Sequence, residues 1–271
     1  MRKFCLSKWY LYVMNIVIIG SGNVAAVLGR KFVAAGHHIL QILSRNASAA
    51  SELAYEWNTE SANYSSLINK EADVYIVAVA DGAIEGVAND LRLPGKVVAH
   101  TAAAVKMDVL KEVTENYGVF YPLQSLRKEQ EQIPEIPIYI EGVNEQTNNV
   151  LNKLARSVYK EACYSADFDK RTKLHIGAVL VNNFTNHLFS LTEAYCKKEG
   201  IEFTELLPLI DNTFYRLHDA APSSLQTGPA ARGDMETIDK HRALLDKHPQ
   251  LLKLYEFLTG SILGRPLTPL D

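Results

Sequence analysis

Six residues near the start of the chain, Gly20-Ser21-Gly22-Asn23-Val24-Ala25, have the types and spacing to hold a phosphate. Gly20 permits a tight turn, and Gly22 lets the backbone approach a pyrophosphate with no Cβ in the way. Ala25 lets a following helix lie close to a strand, while the unpaired N–H groups and dipole of that helix attract an anion. Alone the pattern is weak, because glycine turns are common. Here it directly follows the apolar run Ile16-Val17-Ile18-Ile19 and opens a helically spaced segment, the setting that a dinucleotide fingerprint requires. A bare strand-to-helix turn without ligand is the alternative.

The next strand end selects the dinucleotide. Sites for NAD usually place Asp or Glu there to accept from the ribose 2′-hydroxyl. This chain has Ser44-Arg45-Asn46 instead. A carboxylate would repel a 2′-phosphate, whereas a guanidinium forks onto it and a hydroxyl adds a donor. At about 1.5–3 kcal/mol per charge-assisted hydrogen bond, one or two such bonds give roughly a ten- to thousandfold preference for NADP. The competing reading leaves Arg45 solvated and makes Ser44 or Asn46 a helix cap.

Ligands of a doubly wound sheet bind beyond the carboxyl ends of its strands. Val79-Ala80-Asp81, His100-Thr101 and Tyr121-Pro122-Leu123-Gln124 all follow predicted strands. The expected cofactor contacts are therefore Gly20, Gly22, Asn23, Val24, Ser44, Arg45, Asn46, Val79 and Ala80. Farther along, His175, Asn182 and Asn186 fall at i, i+7 and i+11. In a uniform α-helix at about 100° per residue they lie within about 20° of one line. His175 is the candidate proton donor to a carbonyl or imine, Asn182 and Asn186 would orient substrate, and His100 and Gln124 are further catalytic candidates. Each has a structural alternative: a histidine bonded to a neighbour, or asparagines bridging subunits.

The elements that must position these residues alternate. Strands are expected at Asn15–Ile19, Ile39–Leu43, Val74–Val79, Val97–Ala99, Val119–Tyr121 and Ile138–Ile140, with helices at Asn23–Ala35, Ala47–Trp57 and Met107–Val113. This predicts an α/β, Rossmann-type doubly wound, mostly parallel sheet. Beyond Ser165 the strand signal stops. Asp167–Lys198 reads as one long helix, apolar on almost every side from Ile176 to Leu191, and so buried in a core or between subunits. Phe203–Leu217, Met235–Leu245 and Leu251–Leu263 complete an all-α part. The expected division is an N-terminal appendage (1–13), a cofactor-binding domain (14–165) and a helical substrate and dimerisation domain (166–271). Met1–Val13 lacks a small-residue cleavage site and carries Lys8 within its apolar stretch, so export is not expected, and Met14 can serve as the start.

The stretch IVIIGSGNVAAVLGRKFVAAGHHI, the Ser44-Arg45 pair and Ala72–Val79 resemble pyrroline-5-carboxylate reductase and the deazaflavin-dependent NADP oxidoreductases. His100-Thr101, Tyr121-Pro122-Leu123-Gln124, Leu174-His175, Asn182-Asn183-Phe184 and Gly228-Pro229-Ala230 are similar to a Rossmann-like branch with a helical C-terminal domain of unknown function. The chain departs from that pattern at Ala102-Ala103, where a glycine-containing turn is expected. The resemblance implies the fold and NADP binding, and it implies a homodimer through the C-terminal helices, as in the resembling reductases.

Composition agrees with a globular protein. The 271 residues are 47% hydrophobic and 22% charged, with a formal net charge of -3, enough apolar matter for a core and no basic footprint for nucleic acid. No apolar run reaches the length of a membrane span. Cys5, Cys163 and Cys196 form no CxxC pair, which points to the cytoplasm, and no zinc-type spacing predicts a metal. The leading expectation is an NADPH-dependent oxidoreductase that transfers a hydride to a small carbonyl or imine. The alternatives are a deazaflavin:NADP oxidoreductase and a non-catalytic NADP(H)-binding sensor.

Overall fold

The computed structural model describes residues 13–130, 132–159 and 163–266. The expected appendage, with Cys5, lies almost wholly outside them. Two compact units divide the chain between Asn182 and Asn183.

In the first unit, β1 (Asn15–Ile19), α1 (Asn23–Ala34), β2 (His38–Leu43), α2 (Ala47–Glu56), β3 (Glu60–Ala62), β4 (Val74–Val77), α3 (Ile84–Asn89), β5 (Val97–His100), β6 (Asn116–Pro122), β7 (Ile138–Gly142), α4 (Glu145–Val158) and β8 (Cys163–Ser165) build one sheet with its helices. Its order is β3-β2-β1-β4-β5-β6-β7-β8, and the pairing is parallel except between β6 and β7. The doubly wound expectation holds, and the order reverses between β1 and β4, the crevice such sheets offer to ligands.

Burial explains the apolar strands. Ile16 and Ile18 face one core with Val27, Leu28 and Phe32 of α1, while Val17 and Ile19 face the other with Tyr75, Val77 and Val98. A strand covered on both sides reads as a continuous apolar run, not an alternating one. Asn144 caps α4 by accepting from the Thr147 N–H at 2.8 Å, and Leu151, Leu154 and Ala155 form its buried stripe. This helix is absent from the sequence expectation although its cap and spacing are plain. The expected helix Met107–Val113 is only a 3-10 turn over Met107–Leu110, and the expected strand Val74–Val79 ends at Val77.

The antiparallel β7 has a spatial consequence. The connection over 123–137 leaves β6 and returns to β7 at the same, carboxyl edge of the parallel strands, because Pro122 pairs with Ile138.

Next comes α5 (Phe168–Ala178), capped by Asp167, whose carboxylate accepts from the Lys170 N–H at 2.8 Å. Its Arg171 is fully buried. The guanidinium donates to the Ala103 carbonyl at 3.0 Å, the Val105 carbonyl at 2.9 Å and the Glu141 carboxylate of β7 at 2.5 Å. One side chain thereby ties α5 to the loop after β5 and to β7.

The long helix is not continuous α-helix. Val179–Phe184 is π-helical, and α6 (Thr185–Glu199) follows in the second unit with α7 (Leu207–Tyr215), α8 (Pro229–Arg232), α9 (Met235–Leu245) and α10 (Pro249–Ile262). Burial inside the chain, one of the two expected placements of its apolar middle, is overturned: Ile176, Leu180, Val181 and Phe184 are all more than half exposed. Among the described residues no helix is long and apolar enough to cross a membrane.

Glu141→Gln leaves the Arg171 charge buried without its counter-charge. Removing one partner of such a pair costs about 3 kcal/mol or more. The urea-unfolding midpoint of the first unit is expected to fall accordingly, and an unchanged midpoint contradicts the role given to the pair.

Candidate active site

The glycine turn builds a groove at the carboxyl edge. Gly20 has φ +122°, and a Cβ there would stand 2.2 Å from the Ala78 carbonyl oxygen, so only glycine fits. Its N–H donates to the Leu43 carbonyl at 2.8 Å, which fixes the turn between β1 and β2. Gly22 is the N-cap of α1 and, having no side chain, makes no cap hydrogen bond. A Cβ on Gly22 would meet nothing within 4 Å. The helix start thus opens onto free space, with amides left for an anion.

A cavity of about 580 Å³ runs from this turn, lined by Gly20, Gly22, Ser44, Arg45, Val79 and Ala80 among others. The Ser21 and Ser44 hydroxyls share a 2.8 Å hydrogen bond across it. Asn46 lines it too, but its side chain accepts from the Ala49 N–H at 3.1 Å and is engaged in capping α2. Arg45 is exposed and has no hydrogen bond or ion pair among the described residues. Asn23 and Val24 do not line this cavity. Asn23 accepts from the Lys128 N–H at 3.2 Å, and Val24 packs against the core. Open glycine backbone, two hydroxyls and a free guanidinium with no carboxylate at the β2 end form a donor set that fits a phosphorylated dinucleotide.

The second cluster lies farther along the same edge. In register, Val77, His100 and Val119 stand side by side on β4, β5 and β6. Two residues beyond Val119, Tyr121 reaches past the edge, with Tyr139 opposite it and Tyr164 next in the row. The Tyr121 hydroxyl lies 3.1 Å from Nδ1 of His175, one helical turn after Arg171. Burial first, and then the negative charge of Asp81, push the Tyr121 phenol up, so it stays protonated. His175 itself is exposed, and its Nε2 has no partner among the described residues. With Nδ1 engaged by the phenol, Nε2 is the ring nitrogen left open.

The other candidates are placed differently. His100 is fully buried and accepts at Nδ1 from the Ala102 N–H at 3.2 Å. That bond places its proton on Nε2, which has no partner among the described residues. Burial, then the nearby Arg171 charge, push its pKa down to about 4. The geometry fits the strand-end alternative for His100, not that of an accessible donor. Gln124 spends both ends of its amide locally, donating to the Glu135 carbonyl at 3.2 Å and accepting from the Ser125 N–H at 2.9 Å. The expected line of His175, Asn182 and Asn186 assumes a uniform α-helix, whereas Val179–Phe184 is π-helical. Asn182 and Asn186 moreover belong to different units.

Sequence reasoning misses one residue and misranks another. Tyr121 belongs to the strand-end segment expected to face the ligand, but the catalytic candidate chosen there is Gln124, three residues on, and no spacing within that segment singles out the phenol. Arg171 is one basic residue among several on a helix, and nothing local marks it as buried. Among the described residues no group of three or more His, Cys, Asp or Glu could hold a metal.

Strand order and glycine turn together define a dinucleotide-binding α/β protein. Residues 15–104 match the family described as NADP oxidoreductase, coenzyme F420-dependent, and residues 136–262 match a domain of unknown function, DUF2520. A Bacteroides fragilis protein assigned as an NADP oxidoreductase is 34% identical with a TM-score of 0.84, over 94% of this chain and 100% of that one. The chain belongs to this NADP oxidoreductase family, with DUF2520 as its C-terminal part. The 1-pyrroline-5-carboxylate reductase of Streptococcus pyogenes is 15% identical with a TM-score of 0.62, over 93% of this chain and 99% of that one. An imine reductase from Myxococcus stipitatus, solved in complex with NADP+, is 16% identical with a TM-score of 0.58, over 92% and 93%. At those identities the likeness shows the fold. No curated protein matches the chain.

The low pKa of His100 has a measurable consequence. Its folded pKa of about 4 lies below the unfolded value of about 6.5, so the unfolded chain binds the extra proton first. Stability is undiminished above about pH 6.5 and falls by up to about 3 kcal/mol as the pH drops to about 4. His37, lowered by burial, acts in the same sense. Comparison of the parent with His100→Asn isolates the first effect. The variant's unfolding midpoint should vary less over that window, and equal slopes contradict the assignment.

Proposed function

We propose that the chain is an NADPH-dependent oxidoreductase acting on a small carbonyl or imine compound, with residues 14–165 binding the cofactor and the helical part serving substrate binding and dimerisation. The observation that carries the cofactor choice is Arg45, a free guanidinium beside Ser44 at the end of β2. In this reading Arg45 and Ser44 hold the 2′-phosphate, while the Gly20–Gly22 turn and the start of α1 hold the pyrophosphate. When bound, the reduced nicotinamide supplies a hydride.

His175 supplies the matching proton. Its Nε2 gives a proton to the oxygen or nitrogen of the reduced group, and the Tyr121 hydroxyl, 3.1 Å from Nδ1, keeps the ring turned; where that hydroxyl donates to Nδ1, the proton stands on Nε2. Exposure of the imidazole lets water return the proton afterwards. Asn182 and Asn186 are the candidates for orienting substrate. The exposed apolar side chains Ile176, Val181 and Phe184 support a homodimer through the helical part. Cys163 and Cys196 are free thiols, in keeping with the cytoplasm.

The description of the matched family, which names coenzyme F420, favours a second reading in which a deazaflavin exchanges hydride with NADP at the same groove. A non-catalytic NADP(H) sensor is the remaining alternative. Loss of NADPH absorbance against imines, 2-oxo acids and a deazaflavin separates the three.

Arg45→Ala should weaken NADPH binding by tenfold or more, in proportion to the loss of one or two charge-assisted bonds of about 1.5–3 kcal/mol each, and leave NADH binding nearly unchanged. Equal losses in a fluorescence titration defeat the cofactor assignment. With an active substrate in hand, His175→Ala should cut kcat by about a hundredfold or more with little effect on NADPH affinity. A variant that keeps its turnover removes His175 from the chemistry.

A further inference from the structure

Beside the groove lies a second, polar cavity of about 710 Å³, lined by Asn23, Ser125, Arg127, Glu129 and Gln130. Asn23 is the first residue of α1, so this cavity begins where the glycine turn ends. Its other walls come from the connection between β6 and β7, which returns at the carboxyl edge.

The wall is held in place. Asn23 accepts from the N–H of Lys128 at 3.2 Å, and Arg30 donates to the carbonyl of the same residue at 2.5 Å. Lys31 donates to the Ile133 carbonyl at 3.4 Å, and Leu126 is buried in the core against which α1 packs. Three side chains of α1 thus fix the backbone on the far side of Arg127. Arg30 is in turn anchored to Glu56 at 2.6 Å. Arg127 itself has an exposed side chain with no ion pair or hydrogen bond among the described residues. The negative charge of Glu129, in the same cavity, acts on Arg30.

We infer that Arg127 is a second cation of the dinucleotide site, one that grips the pyrophosphate from the side opposite the glycine turn, with the Ser125 hydroxyl as an additional donor. This rests on the dinucleotide reading above and extends it. The open backbone at Gly22 supplies N–H groups from below, and Arg127 supplies a forked guanidinium from a wall whose backbone is held by α1. The two arginines then divide the work. Arg45 tells NADPH from NADH, while Arg127 serves the diphosphate that both share.

Titration of the full-length protein with NADPH and with NADH, monitored by the fluorescence of the reduced nicotinamide, tests this without any turnover. Arg127→Gln should weaken both dinucleotides by a similar factor of about ten or more. Unchanged affinity for both overturns the assignment, as does a loss confined to NADPH, which would put Arg127 at the 2′-phosphate. A parent protein that takes up neither dinucleotide overturns the dinucleotide reading itself. Arg45→Ala run alongside separates the two failures, since its selective effect on NADPH stands or falls independently of Arg127. Arg127 is exposed, and an unchanged melting temperature of the variant confirms that the loss is one of binding.

Discussion

A single buried cation fixes the geometry on which the candidate chemistry rests. Arg171 cannot be solvated where it lies, so its charge must be met within the protein, and the Glu141 carboxylate and two carbonyls of the loop after β5 meet it. Such a group tolerates little displacement, because every alternative leaves a charge or a carbonyl unpaired in a low dielectric. His175 lies four residues on along the same helix, on the same side, and so arrives at the hydroxyl of Tyr121. The same charge also disfavours protonation of His100. One guanidinium therefore positions the accessible histidine and adds to the burial that keeps the inaccessible one neutral.

The groove rests on a different constraint, which is steric. At Gly20 the backbone passes so close to the carbonyl of Ala78 that a methyl group has no room, whereas at Gly22 the room is ample and lies on the open side. The two glycines are needed for opposite reasons, one to close the turn against β4 and the other to leave the helix start bare. In the proposed reading, selectivity falls to the β2 end, where the single side chain of Arg45 sets the sign of the local charge. Binding and selectivity are thus separable in space, a common property of doubly wound sheets whose strand ends each supply one function.

The first half of this organisation is legible in the sequence because it is local. Continuous apolar strands, a glycine turn in its proper setting and the Ser44-Arg45 pair are all signalled within a few neighbouring residues. The short strands Glu60–Ala62 and Cys163–Ser165 are not, since three residues carry no periodicity, and they are strands only because a neighbour's edge is there to pair with. The union of Tyr121 with His175 spans 54 residues and cannot be read from spacing. The expected alignment of His175 with Asn182 and Asn186 assumes a constant rotation that the π turns break. The apolar middle of that helix signals burial only on the assumption that a partner is part of the environment; within one chain those side chains face solvent.

The reversed strand β7 changes what the fold can become. Were it parallel to β6, the chain leaving β6 would have to cross to the far edge of the sheet before starting the next strand. Reversal instead anchors both ends of the 123–137 excursion at the ligand-facing rim. Only its exposed positions can then drift, because Leu126 and Ile136 are buried in the core and α1 holds the backbone at Lys128 and Ile133. Related chains can vary those exposed positions while strand order stays the same.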